Sequence, residues 1–311
     1  MQHILLFCLV LLLPTMQGAL FGWLHFIVPL TVFFYIYKWE NGFTYIIAGL
    51  VIAMLVSLVI GSFEIMLFSA ALVPAGYVLA QSAFQTDSPA ASGFKATVIL
   101  VICWILLLVG ETLITGINPV VDFLASLDSN IEQTLAYYRQ SGTMAPDTLA
   151  ILEQSFLQMK AALPKVLVSI ILSLALAIIW FTMLLGNRMV LKFTGYRPWA
   201  DLKTWQLPER LIWLLIIAAL AAILPLGSTI RLIGLNVLIV SSLVYFFQGF
   251  SVFVFFLHKW GVPLFLRFML YGMMLFQSFG TIVLLIVGIG DVWLDLRRLK
   301  QQNAQTNSDS E

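Results

Sequence analysis

Long apolar runs, each ended by a short polar or proline-bearing stretch, recur from one end of this chain to the other. A helix that crosses the hydrocarbon of a bilayer needs roughly 20 apolar residues, with a range of about 17–25. By that length the pattern predicts nine candidate membrane segments, at 4–20, 22–38, 43–61, 63–84, 94–116, 165–187, 210–225, 230–257 and 263–290. Buried strands are much shorter than these runs of Leu, Ile and Val, so the prediction is helix. Pro119, Pro164, Pro225 and Pro263 read as segment boundaries, because proline fits the first turn of a helix and disrupts its interior.

Two stretches interrupt the apolar pattern. Over 117–164, Leu124, Leu127, Ile131, Leu135 and Tyr138 recur at helical spacing, and so do Leu149, Leu152, Phe156, Met159 and Leu163. SGTMAPD lies between the two sets, with Pro146 where a helix would start. The pattern predicts an inserted extramembrane amphipathic helical hairpin, acidic through Asp122, Asp128, Glu132, Asp147 and Glu153 against Arg139 and Lys160. The second stretch, 188–209 and the adjoining Arg210, carries Arg188, Lys192, Arg197 and Lys203 against Asp201 and Glu209. Short basic loops stay in the cytoplasm, which places this loop inside and the hairpin outside. Trp199 and Trp205 fit an interfacial belt. The stretch after the last segment is also basic, through Arg297, Arg298 and Lys300. Three full crossings after the basic loop would put it on the wrong side. One of the last three segments is therefore expected to be broken or not to cross, with 230–257 or 210–225 the suspects. Residues 301–311 read as a disordered polar tail behind a single bundle domain at 1–300.

Composition sharpens the picture. Of 311 residues, 61% are hydrophobic and 10% charged, against about 25% charged in ordinary soluble domains. The mean hydropathy is +1.00. Most of the chain should be dissolved in lipid, and the first run reads as a retained membrane helix rather than a cleaved signal. A net charge of +1 makes no case for nucleic acid. Cys8 and Cys103 lie in apolar runs and read as packing residues. No GxxxxGK[ST], HExxH, CxxC or GxSxG occurs, and His3, His25 and His258 are scattered. The sequence predicts no enzyme, no cofactor and no metal site.

The remaining candidates are polar groups inside apolar segments. Glu111 is costly at membrane depth and reads either as a ligand contact or as an interfacial residue. In NVLIVSSLVYFFQGF, Ser241, Tyr245 and Gln248 share one helix face, with Gly249 beside them and Asn236 further back. Such a stripe either packs helices or lines a binding site. The candidate substrate-binding set is Glu111, Asn236, Ser241, Tyr245, Gln248 and Gly249. Asp291, Asp295, Arg297 and Arg298, in DVWLDLRRL, form either a charged collar or a docking surface for a partner. Asp295 is expected to pair with Arg298.

The Tyr245–Gln248–Gly249 and Asp291–Trp293–Asp295–Arg297 patches and the general layout resemble the YybS-like family of bacterial membrane proteins (domain of unknown function 2232). That family is thought similar to the substrate-binding subunits of energy-coupling-factor transporters. The resemblance implies capture of a small solute, with transport energy from a separate membrane or ATPase partner, in a multi-pass protein of the bacterial inner membrane. Those subunits have about six helices and no large hairpin, and no ligand-contact motif carries over. The fold class expected is an all-α polytopic transmembrane bundle of eight or nine segments. The alternative function is a non-transporting scaffold acting through the acidic hairpin or the basic tail.

Overall fold

The computed structural model describes residues 1–15, 23–142 and 144–299. Lys300 and the tail at 301–311 lie outside the described residues. All regular structure among the described residues is helical. Its α-helices are α1 (Gln2–Leu12), α2 (Ile27–Lys38), α3 (Gly42–Ile60), α4 (Phe63–Ala70), α5 (Val73–Phe84), α6 (Pro89–Thr115), α7 (Pro119–Ser141), α8 (Pro146–Thr194), α9 (Leu211–Ile223), α10 (Ser228–Lys259), α11 (Leu264–Phe276) and α12 (Ser278–Leu294).

The helices are fewer in span than the apolar runs suggest. Five are long and apolar enough to cross a membrane: α3, α4 with α5 over Phe63–Phe84, α6, α8 and α10. A sixth exists if α11 and α12 count as one broken span. The expectation of eight or nine therefore falls to five or six. At 1.5 Å of rise per residue, the 13 residues of α9 reach only about 20 Å, short of the roughly 30 Å hydrocarbon layer. The first run yields helix and a 3₁₀ turn over Gln2–Thr15, with Pro14 in that turn; its remaining residues lie outside the described set. The second begins with a 3₁₀ turn, leaving α2 at 12 residues.

Pro164 is not a boundary. It sits inside α8, which runs unbroken for 49 residues. An internal proline removes an N–H and crowds the preceding turn. Just beyond it, the side chain of Asn236 spans the helix ladder: its Oδ1 accepts from the N–H of Ser169 at 3.0 Å and its Nδ2 donates to the carbonyl of Lys165 at 2.8 Å. Those two backbone groups are the pair an uninterrupted helix joins to each other, so a neighbouring helix braces the turn that follows the proline.

One of the last three segments is indeed broken, but it is 263–290 and not 230–257, while 210–225 yields only a short helix. Helix α10 is continuous for 32 residues despite Gly234, Asn236, Gln248 and Gly249. The break is at Gln277, where extended backbone separates α11 from α12 and the axes differ by 94°.

Packing sets two groups of helices around α8. The first six helices and α8 enclose a core that includes Phe7, Leu11, Val28, Phe33, Met66, Leu79, Leu100 and Ile179. On the other side, α10 lies alongside α8 in the same direction: Asn236 meets Ser169, and Phe247 stacks on Trp180 at 4.4 Å with planes 4° apart. Helix α12 then presses onto α10 through Gly249 and Gly288. A Cβ on Gly249 would collide with the carbonyl of Leu284, and one on Gly288 with the carbonyl of Tyr245. Helix α7 lies against the start of α8, tied by Arg139 to Glu153 at 2.8 Å and by Lys160 to Asp128 at 3.2 Å. Large apolar side chains are widely exposed on α3, α6, α9 and α11, as lipid-facing surfaces require.

Candidate functional site

The basic stretch between α8 and α9 is folded into the end of the bundle rather than looping freely. Gly195, at φ 73°, ends α8 and turns the chain back. Asn187, on the last turns of α8, then grips Trp199 at both backbone groups: its Nδ2 donates to the Trp199 carbonyl and its Oδ1 accepts from the Trp199 N–H, each at 3.1 Å. The Trp199 indole stacks on Phe33 and donates to Ser92 Oγ at 3.0 Å. A 3₁₀ turn at Leu202–Thr204 follows.

The backbone of that turn is held by a buried charged network. Helix α12 ends at Leu294 with Asp295 in the left-handed region (φ 40°), so the chain doubles back and Arg297 points inward. Its Nη1 donates to the Lys203 carbonyl at 2.7 Å and to Ser251 Oγ at 2.8 Å. Its Nη2 donates to the Trp205 carbonyl and to Asp291 Oδ2, both at 2.8 Å. Gln248 Nε2 donates to the same carboxylate oxygen at 2.7 Å, and Ser251 Oγ donates to the Leu202 carbonyl at 2.5 Å. The Arg297 and Asp291 side chains are 0% and 1% exposed. Removing two charges from water costs several kcal/mol per ion, on the order of what one good buried pair returns, so geometry decides the balance. Here four acceptors surround the guanidinium, yet Asp291 Oδ1 and Arg297 Nε have no hydrogen-bond partner among the described residues.

The side chains of the same turn line a cleft of about 200 Å³, bounded by Asn187 and Arg188 of α8, Arg197, Asp201, Lys203 and Trp205 of the loop, and His258 of α10. Asp201 is paired with Arg197 at 2.8 Å and with Lys203 at 3.6 Å. Partial burial pushes the Asp201 carboxyl up, but the hydrogen bond and charge of Arg197, then Lys203, outweigh it and hold it below its ordinary 3.8. His258 Nδ1 lies 2.8 Å from the Val254 carbonyl, which can only accept, so Nδ1 carries the proton and Nε2 is left for the cleft. Arg188 is exposed and has no ion-pair partner among the described residues.

The structure thus joins Gln248 with Asp291 and Arg297, which the sequence assigned to separate sets. The remaining candidates are elsewhere. Asn236 is committed to α8, and Ser241 Oγ donates to its own helix at Val237. Tyr245 is buried against Ile212, Leu215 and Val292. Gly249 is the contact point with α12. Glu111 is exposed near the end of α6, with no ion pair among the described residues. Asp295 Oδ1 accepts from the Leu299 N–H, and the Arg298 N–H donates to the Asp295 carbonyl; Arg298 is exposed. The sequence reading missed Ser251, although it lies one turn from Gln248 on the same stripe, and Asn187, an amide at the end of an apolar run. Arg188, Arg197, Lys203 and His258 were visible, but nothing in their spacing said that they meet.

The sequence pattern of a family described as predicted membrane protein (DUF2232) matches residues 3–292. No curated protein and no solved structure matches the chain.

Proposed function

We propose, since this chain belongs to the DUF2232 family of predicted membrane proteins, that it is a polytopic membrane protein binding a small solute in the cleft at the basic end of the bundle. The observation that carries this reading is the two-sided use of residues 202–205. Their carbonyls are gripped by Arg297 and Ser251, while Leu202, Lys203 and Trp205 also form a wall of the cleft. A ligand that moves this wall acts directly on the contact between α10 and α12, which is how occupancy would reach the membrane helices. The basic loop favours a cytoplasmic position for the cleft in a bacterial inner membrane. In this reading the protein resembles substrate-binding subunits that depend on a separate energy-coupling partner, because the chain carries no phosphate-binding loop of its own.

Native mass spectrometry of the full chain in mild detergent tests the reading. The wild type should retain a small molecule, and His258→Trp, which fills the cleft from an exposed position, should lose it. A scaffold role is favoured by the exposed Phe123, Tyr137 and Leu157 on the α7–α8 hairpin. A retained protein without any small molecule, lost on removing 119–160, would support that role instead.

A further inference from the structure

From the charges that meet in the cleft we infer that its ligand carries a phosphate group, a reading that rests on the solute-binding proposal above. Arg188, Arg197 and Lys203 bring three permanent cations to the lining, and Asp201 brings one carboxylate. Together these three cations and one carboxylate carry +2. A phosphate monoester carries about −1.5 to −2 at neutral pH, so it matches this excess, whereas a single carboxylate leaves a cation unmatched. Planar guanidinium groups suit phosphate oxygens because they donate two parallel N–H bonds, and Lys203 adds a point charge.

The internal pairing supports the same chemistry. Asp201 already occupies Arg197 and part of Lys203, so the loop cations are held in place with no ligand bound. Arg188 on α8 is the donor left over, and it is exposed. An incoming dianion would bridge Arg188 of α8 and the loop cations across the cleft. The space, about 200 Å³, suits a phosphate with a small attached group rather than a nucleotide. The phosphate can belong to a free solute or to a lipid headgroup entering from the adjacent leaflet.

The test is binding of radiolabelled inorganic phosphate to the full chain in phosphatidylcholine nanodiscs, repeated with phosphatidic acid in the disc. The wild type should bind phosphate saturably. Arg188→Gln should weaken binding about tenfold, the loss of one charge-assisted contact, and Arg210→Gln, outside the lining, should leave it unchanged. If the headgroup is the natural occupant, phosphatidic acid will abolish phosphate binding by the wild type and remain bound in native mass spectra of wild type but not of Arg188→Gln. If a free solute is, phosphatidic acid will not compete. Phosphate binding that survives Arg188→Gln, or no saturable binding of either probe, overturns the inference. A non-anionic molecule kept by wild type and Arg188→Gln but lost from His258→Trp would overturn the phosphate chemistry and leave solute binding standing.

Discussion

Asp291 and Arg297 show how far a residue's role depends on its partner. In sequence they read as part of a charged collar. In the fold their side chains are sealed from solvent and share one hydrogen-bond network with Gln248 and Ser251. Breaking a buried pair by removing one partner costs about 3–5 kcal/mol, because the other charge is stranded. Asp291→Leu leaves Arg297 its three neutral acceptors. Arg297→Met strands Asp291 and also the Lys203 and Trp205 carbonyls, each worth about 1–3 kcal/mol if unmet. Thermal unfolding in detergent should therefore rank Arg297→Met below Asp291→Leu, with the double variant losing less than the sum of the two. Strict additivity would show that the two side chains are not coupled. Ser251 and Gln248 were within reach of periodicity, since both lie on one face of α10; their partner on another helix was not.

At the scale of elements, the break at Gln277 resolves a topological conflict. The basic loop and the first residues after α12 should lie on one side, and Arg297 does bind the loop backbone at Lys203 and Trp205. Helices α11 and α12, bent by 94°, follow His258 of the cleft and lead to Arg297 on the loop backbone, so the pair starts and finishes at the end of the bundle where the loop sits, as a re-entrant arrangement requires. Single cysteines placed in a chain with Cys8 and Cys103 replaced give a direct check. Gln206→Cys and Arg298→Cys should react with a membrane-impermeant thiol reagent from the same side, and Ser141→Cys, at the hairpin tip, from the other. Labelling of 298 together with 141 would exclude the re-entrant arrangement. The conflict itself was readable from charge placement. The location of the break was not, because Gly249 resembles a hinge in sequence yet serves as the flat contact that lets α12 approach α10.

On the scale of the molecule, the loop between α8 and α9 links the two groups of helices. Its C-terminal part is tied to α10 and α12 by the Arg297 network. Its N-terminal part is tied to α5 and α6 through Trp199, which donates to Ser92; the Ser92 and Ser82 hydroxyls are hydrogen-bonded to each other, and Ser82 donates to the Asp87 carboxylate. Lys95 closes this chain on Asp87 at 2.6 Å. The hydrogen bond from Lys95, then that from Ser82, holds the Asp87 carboxyl below its ordinary 3.8. A carboxyl depressed by folding contributes stability above its unfolded value and loses it as pH falls through the folded one. Asp87→Asn should lower the melting temperature at neutral pH, and the gap from wild type should close as pH drops below 3.8. A gap that stays constant well below that pH would show that the charge of Asp87 is not what holds the clamp.

Hydrophobic periodicity and low charge by themselves determined that this is a helical membrane protein, where its polar interruptions fall, and which end of the bundle is basic. Those are properties of segments, set by the cost of placing backbone and charge in lipid. Tertiary structure alone decided how many apolar runs become spans, that Pro164 is tolerated beside Asn236, and that Arg188, Arg197, Lys203 and His258 converge on one cleft. Those are properties of pairs distant in sequence: a run's usable length depends on where its neighbours end it, and a charge acquires its role from the group packed opposite it.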